Sequence, residues 1–340
     1  MGQPEKHVGG SVFTTAPLPS IASKDTKTAM TDDGDQIMTQ KDRSARSSLA
    51  AMVDDVEVDD TTLEDSVSTL SLSHVDAADA QDPRQVVDYV VDILNHFKSV
   101  ETRRMPPANY MSKQTDINSR MREILIDWLV EVHLKFKLQL ETLYLTVNII
   151  DRFLARRAVS RTKLQLVGCT AMLIASKYEE IYAPEVRDFV YISDKAYTRE
   201  QILAMESIML NTLSFNLTVP SALRFAQRWA KVAGADTTCK HLINYLLELT
   251  LQDSKFLKYP PSYAASAATF LALKMTGKVT WTPALQAHTR YNVADIQSCV
   301  NDLYSLASKE SPKYKAVRKK YTSRKFGEVA KIAAGAPPIF

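Results

Sequence analysis

Cysteine and glycine are scarce in this chain. Cys169, Cys239 and Cys299 are the three cysteines in 340 residues, and they lie far apart. No Cys-x-x-Cys pair occurs, so neither a disulfide framework nor a zinc site is indicated, and a reducing compartment fits. Nine glycines leave little room for loops that cradle phosphates. No apolar run reaches the roughly 18 residues of a membrane span, so a soluble chain with no membrane partner is expected. The opening stretch 1–13 lacks the basic-then-apolar pattern of a signal segment, and secretion is not expected. The six histidines are scattered, and no metal motif or nucleophile–base ordering accompanies them. His96 and His133 read as structural histidines. Glu179-Glu180 and Asp54-Asp55 are adjacent acids, and neighbours in a helix do not face one another. Without recognisable chemistry, no metal or cofactor is expected, and the chain is read as acting by binding rather than as an enzyme.

Charge and aromatics are unevenly spread. Up to Pro83 there are six basic and sixteen acidic residues, in a chain whose net charge is +3. That stretch holds one of the 28 aromatic residues, Phe13. Such a segment cannot bury enough apolar surface to offset its ordering entropy. Residues 1–83 are therefore expected to be a disordered acidic tail.

Beyond it the pattern is helical, with almost no strand signal. Over 84–99, Val86, Val87, Val90, Ile93, Leu94 and Phe97 share one stripe of a 3.6-residue period, and a Pro-Pro break follows at 106–107. The same period predicts helices over 118–137 and 141–156. The segment 162–180 is apolar nearly all round, which predicts a central buried helix, with Gly168, Ala171 and Ala175 permitting close approach. Pro184 suits the first turn of a short helix, 184–192. Thr198-Arg-Glu-Gln201 is a capping-box pattern that opens a helix to about 211. A second set is predicted over 221–233, 237–252, 261–276, 283–288 and 293–308. Ala171-Met-Leu-Ile-Ala-Ser-Lys177 echoes Ala268-Thr-Phe-Leu-Ala-Leu-Lys274, and Tyr197 and Ile202 echo Tyr291 and Ile296. Two nearly equal offsets argue for a duplicated five-helix bundle. The expected order is a tail (1–83), an extra N-terminal helix and connector (84–117), two bundles (118–218 and 219–330), and a short tail (331–340).

Met121-Arg-Glu-Ile-Leu-Ile-Asp-Trp-Leu-Val-Glu-Val-His-Leu-Lys-Phe136 resembles the opening helix of a mitotic cyclin box. Lys163-Leu-Gln-Leu-Val-Gly-Cys-Thr-Ala-Met-Leu-Ile-Ala-Ser-Lys-Tyr-Glu-Glu180 resembles its central helix, and Phe189-Val-Tyr-Ile-Ser-Asp-Lys-Ala-Tyr-Thr198 the link that follows. The resemblance spans about 84–330, and His133 with Phe136 favours the B-type over the A-type. It implies an all-α protein of two five-helix cyclin boxes that binds and activates a cyclin-dependent kinase at the G2/M transition. Nuclear and cytoplasmic location belongs to the same implication.

Residue roles follow from the resemblance. Lys177 and Glu206 would be the polar pair that meets the kinase, with Ile174, Tyr178, Phe215 and Leu217 completing the patch and Tyr89 and Ile93 adding a second contact. Bundle core is the competing reading for Ile174, Phe215 and Leu217. Met121, Ile124, Leu125 and Trp128 would form a shallow groove that docks Arg-x-Leu peptides of substrates and inhibitors. Glu131 would pair with the peptide arginine, and Arg161, Gln165 and Ile192 would border the groove. Ordinary core is again the competing reading for Met121 and Trp128. In the tail, Arg46-Ser-Ser-Leu49 fits the core of a destruction box read by a ubiquitin ligase, with Lys41 nearby as an acceptor. Asp54 stands where the family often has Asn, and a solvated coil is the alternative. Gln227, Lys240 and Asn244 fall where some relatives carry a basic phosphate-reading pocket, and only one of the three is basic. The basic stretch 309–331 reads as a solvated surface helix, with nucleic-acid binding or nuclear import as alternatives. A DNA-binding relative of the same duplicated fold usually carries a zinc ribbon. None is present, and the acidic tail would be repelled by phosphate, so no nucleic-acid partner is expected. A purely structural scaffold is the remaining rival.

Overall fold

The computed structural model describes residues 75–278, 281–308 and 315–334. All regular structure among them is helical. The first helix, α1, runs over Val90–Glu101, later than the 84–99 that its stripe predicts. Asp82 accepts from the Arg84 amide and caps a single 3-10 turn, Pro83–Gln85. Val86 then takes a left-handed conformation, φ 45°, which no helix accommodates.

Five helices make the first bundle: α2 (Ser119–Phe136), α3 (Leu140–Leu154), α4 (Leu164–Glu179), α5 (Val186–Ile192) and α6 (Arg199–Thr212). Asn118 caps α2 by accepting from the Met121 amide, and Thr198 and Gln201 form the expected capping box of α6. Helix α4 is buried from Leu164 to Ser176 and is the axle of the bundle. A Cβ on Gly168 would lie 2.7 Å from Leu125 Cδ1, so glycine is what lets α4 and α2 touch. Glu180 is no catalytic partner of Glu179. Its carboxylate accepts from the Gln139 amide and the Thr142 hydroxyl and so fixes the start of α3.

The second bundle repeats the plan with α7 (Ala222–Val232), α8 (Thr237–Gln252), α9 (Pro261–Met275), α10 (Pro283–Thr289) and α11 (Val293–Ser308). Its axle is α9, buried from Ala264 to Leu273. The echoed residues Ile202 and Ile296 are both fully buried, each on the helix after a short one. Helix α1 belongs physically to this bundle. Glu101 accepts from the Ser262 amide and hydroxyl at the head of α9, and Lys98 donates to the Thr289 carbonyl.

Two expectations are corrected. The tail does not remain free up to residue 83. Asp76 is buried and accepts from both Nη atoms of Arg228, at 2.5 and 2.7 Å, and from Lys231. Asp79 pairs with Lys231 as well, at 2.5 Å. Burial opposes ionisation of Asp76, but the hydrogen bonds from Arg228 and Lys231 outweigh it and hold the carboxyl below its ordinary range. Residues 75–82 thus strap onto α7. The second correction concerns 309–331. Its described part, from residue 315 on, is no solvated helix but carries two short ones, α12 (Lys315–Tyr321) and α13 (Val329–Ala334), packed on the bundles. Lys320 and Glu248 form a fully buried ion pair at 2.6 Å, and the Tyr321 hydroxyl donates to the same carboxylate. Asp127 of α2 accepts from the Ala316 amide at the head of α12.

Candidate functional site

The side chains singled out in the first bundle fall on two faces. On one, Lys177 at the end of α4 donates to both carboxylate oxygens of Glu206 on α6, each at 2.9 Å. The Lys177 side chain is 48% exposed, so the pair is open to a partner. Tyr178 is exposed, and its hydroxyl lies 2.5 Å from that of Thr218, which ties α4 to the segment between the bundles. Phe215 stands 65% exposed. Its position follows from the turn after α6, where Ser214 and Phe215 both take left-handed φ values, 52° and 55°. A non-glycine residue there costs on the order of 1 kcal/mol. The Phe215 amide closes the helix end by donating to the Leu210 carbonyl. Leu217 is half-buried. Ile174 is 3% exposed and lies in the bundle core, so for this residue the core reading holds. Tyr89 precedes α1 and is exposed, and Ile93 on α1 is half-buried.

Sequence reasoning missed two residues beside this face. Ile181 and Tyr182 are 92% and 91% exposed, directly after α4. The signal was present: they follow the last periodic position and precede Pro184, so no helix face exists to bury them.

The second face runs along α2. Ile124 is exposed and Met121 half-buried, with Glu131 half-buried further along the helix. Leu125 is fully buried over Gly168, and Trp128, Gln165 and Ile192 are buried too. The stripe expected to line a groove is therefore only partly open, and Leu125 lies beneath its surface. Two buried donors, Trp128 Nε1 and Gln165 Nε2, have no hydrogen-bond partner among the described residues. Arg161 is exposed and held by Asp116, through its Nε at 2.8 Å and its amide at 2.8 Å.

In the second bundle, Gln227 donates to Glu141 at 3.0 Å. A carboxylate beside Gln227 opposes anion binding there. Arg46 and Leu49 lie outside the described residues.

Comparison with known families settles what the fold is. The N-terminal domain of cyclins matches residues 92–218, and the C-terminal domain of cyclins matches residues 220–335. The chain belongs to the cyclin family. Its relatives include the G2/mitotic-specific cyclin-B of Hydra vulgaris, 43% identical over 82% of this chain and 77% of that protein. The cyclin-B of Arbacia punctulata is 42% identical over 85% of this chain and 73% of that protein. The G2/mitotic-specific cyclin-A of Hydra viridissima is 46% identical over a shorter span, 75% of this chain and 62% of that protein. The B-type relatives, which span more of the chain, make it a B-type, G2/mitotic cyclin. A viral cyclin from herpesvirus saimiri has the same fold, with a TM-score of 0.58 at 18% identity over 63% of this chain and 96% of that one. A chain of the yeast RNA polymerase II CTD kinase complex does too, with a TM-score of 0.53 at 14% identity over 68% of this chain and 84% of that one. Membership makes the chain a regulatory subunit of a kinase and not a catalytic enzyme.

Proposed function

We propose that this cyclin activates a cyclin-dependent serine/threonine kinase of mitotic type through the face built by α4, α6 and the turn after it. The observation that carries the reading is the Lys177–Glu206 pair, its lysine exposed and its carboxylate half-buried, amid exposed Tyr178, Phe215, Ile181 and Tyr182. Large apolar side chains held in water by a rigid bundle are the mark of an interaction site. A kinase without its partner samples unproductive arrangements, and a stiff surface that binds only the productive one shifts the population toward it. The close-packed α4 axle supplies that stiffness. Charge reversal tests the reading. Lys177→Glu and Glu206→Lys each abolish stimulation of the kinase in a histone-type phosphorylation assay, and the double exchange restores part of it. Stimulation by both single variants at the wild-type level would remove this face from the mechanism.

The finer reading is that the α2 face docks Arg-x-Leu segments of substrates and inhibitors. The unpartnered Trp128 Nε1 and Gln165 Nε2 support it, since a buried donor without an acceptor is costly and a peptide carbonyl would satisfy it. Glu131 would take the peptide arginine. Removal by a ubiquitin ligase through Arg46 and Leu49 belongs to the same proposal and rests on the sequence pattern.

A further inference from the structure

Among the described residues, one group of cations around the end of α3 has no counter-charge. Arg152, in the last turn of α3, is 5% exposed. Among the described residues its guanidinium makes a single hydrogen bond, to Asn148 Oδ1 at 3.3 Å. The other buried cations are each matched: Arg122 by Asp151, Arg228 by Asp76 and Lys320 by Glu248. The acid next to Arg152 in sequence, Asp151, is taken by Arg122 and Tyr110. What does act on Arg152 is more positive charge. Burial, then Arg156 and Arg104, lower its pKa to about 10, and no acid counters them.

Geometry draws these arginines together. Asn148 bridges the two segments, because its Nδ2 donates to the Arg104 carbonyl at 3.5 Å while its Oδ1 accepts from Arg152. Arg156 follows Arg152 by four positions. Arg156 is exposed and Arg104 half-buried, so the cluster opens to water from a buried floor. Each feature costs stability. An unpaired buried charge is expensive, and like charges held near one another repel. A dianion would relieve both costs at once.

We infer that Arg104, Arg152 and Arg156 form a binding site for a phosphoryl dianion, supplied by a phosphorylated side chain of a partner or by free phosphate. A phosphoryl group carries nearly two charges and three acceptor oxygens, which suits several guanidinium donors drawn from neighbouring positions. A carboxylate offers one charge and would leave two of the three cations unmatched, where a phosphoryl dianion leaves one.

The test uses the full chain at matched ionic strength, with calorimetry and thermal unfolding. The probes are inorganic phosphate against chloride, and one serine peptide with and without its phosphate. Phosphate and the phosphopeptide raise Tm, and the unphosphorylated peptide does not. Arg104→Gln and Arg156→Gln each weaken binding about tenfold, the loss of one charge-assisted hydrogen bond. Arg152→Met raises the Tm of the free protein and abolishes the phosphate-induced rise, because it removes an unmatched buried charge. Tighter binding of the phosphopeptide than of phosphate identifies a protein partner, and equal binding identifies the small anion. The inference is overturned if neither phosphate probe binds, or if Arg104→Gln and Arg156→Gln bind as the wild type does. It is equally overturned if Arg152→Met keeps phosphate binding and lowers Tm, which would make the arginine purely structural.

Discussion

Ile124 and Trp128 lie one helical turn apart on α2, yet truncation removes different things from them. Ile124 is exposed, so Ile124→Ala removes contact area and leaves the bundle intact. Trp128 is buried in the core, and Trp128→Ala costs about 3–5 kcal/mol of stability. Ile124→Ala is expected to weaken binding of an Arg-x-Leu peptide with Tm unchanged, while Trp128→Ala lowers both. Fluorescence anisotropy with a labelled peptide, beside a melting curve, separates them. Unchanged peptide binding by Ile124→Ala would leave α2 a packing helix and nothing more. The residue names alone did not hold this distinction. The sequence pattern puts Met121, Ile124, Leu125 and Trp128 on one stripe, and only the approach of α4 at Gly168 decides which of them is covered.

At the scale of elements, periodicity is a faithful guide wherever a helix buries one face. Helices α2, α7, α8 and α11 fall within two residues of their expected bounds, because the covered side chains recur with the helical period. The strap and α12 break that logic. Their stability rests on charge pairs between distant positions, Asp76 with Arg228 and Lys320 with Glu248. A lone acid in an acidic tail, or a lysine in a basic run, bears no mark of such a partner. The strap changes how the tail is to be removed. Deletion of 1–74 should leave Tm unchanged, whereas deletion of 1–83 or Asp76→Asn should lower it. Breaking one side of a buried ion pair costs about 3–5 kcal/mol. Equal melting temperatures for the two deletions would reduce the strap to a passive contact. If the destruction-box reading is right, both deletions also prolong the protein's life through mitotic exit.

At the scale of the molecule, the two bundles are joined by buried polar ties. Arg122 of α2 donates to the Gln252 carbonyl at the end of α8, at 3.1 Å. Gln252 in turn donates to Asp127 at 2.7 Å. His133 lies buried on α2, with Nε2 3.1 Å from the Gln139 carbonyl. Burial, and the charge of Lys320, lower its pKa to about 4. The unfolded chain therefore binds a proton near pH 6.5 that the folded chain refuses until about pH 4. Folding stability contributed by the neutral ring is complete above pH 6.5 and is lost as pH falls toward 4, by about 3 kcal/mol at most. Buried Glu101 and Glu248, whose carboxyl pKa values are raised by burial, act in the opposite sense. The difference between wild type and His133→Gln isolates the histidine. Denaturant unfolding between pH 7 and pH 4 should show a flatter decline in the variant, and parallel curves would assign the ring no part in acid sensitivity.

The strap also sets a mechanical order. Any tether that pulls on the N-terminal leader loads the Asp76–Arg228 clasp first and then, through α1, the Glu101–Ser262 cap of α9. The second bundle would thus be unthreaded before the first. The face that carries Lys177 and Glu206, lying on the half that holds out longer, would be the last to lose its shape.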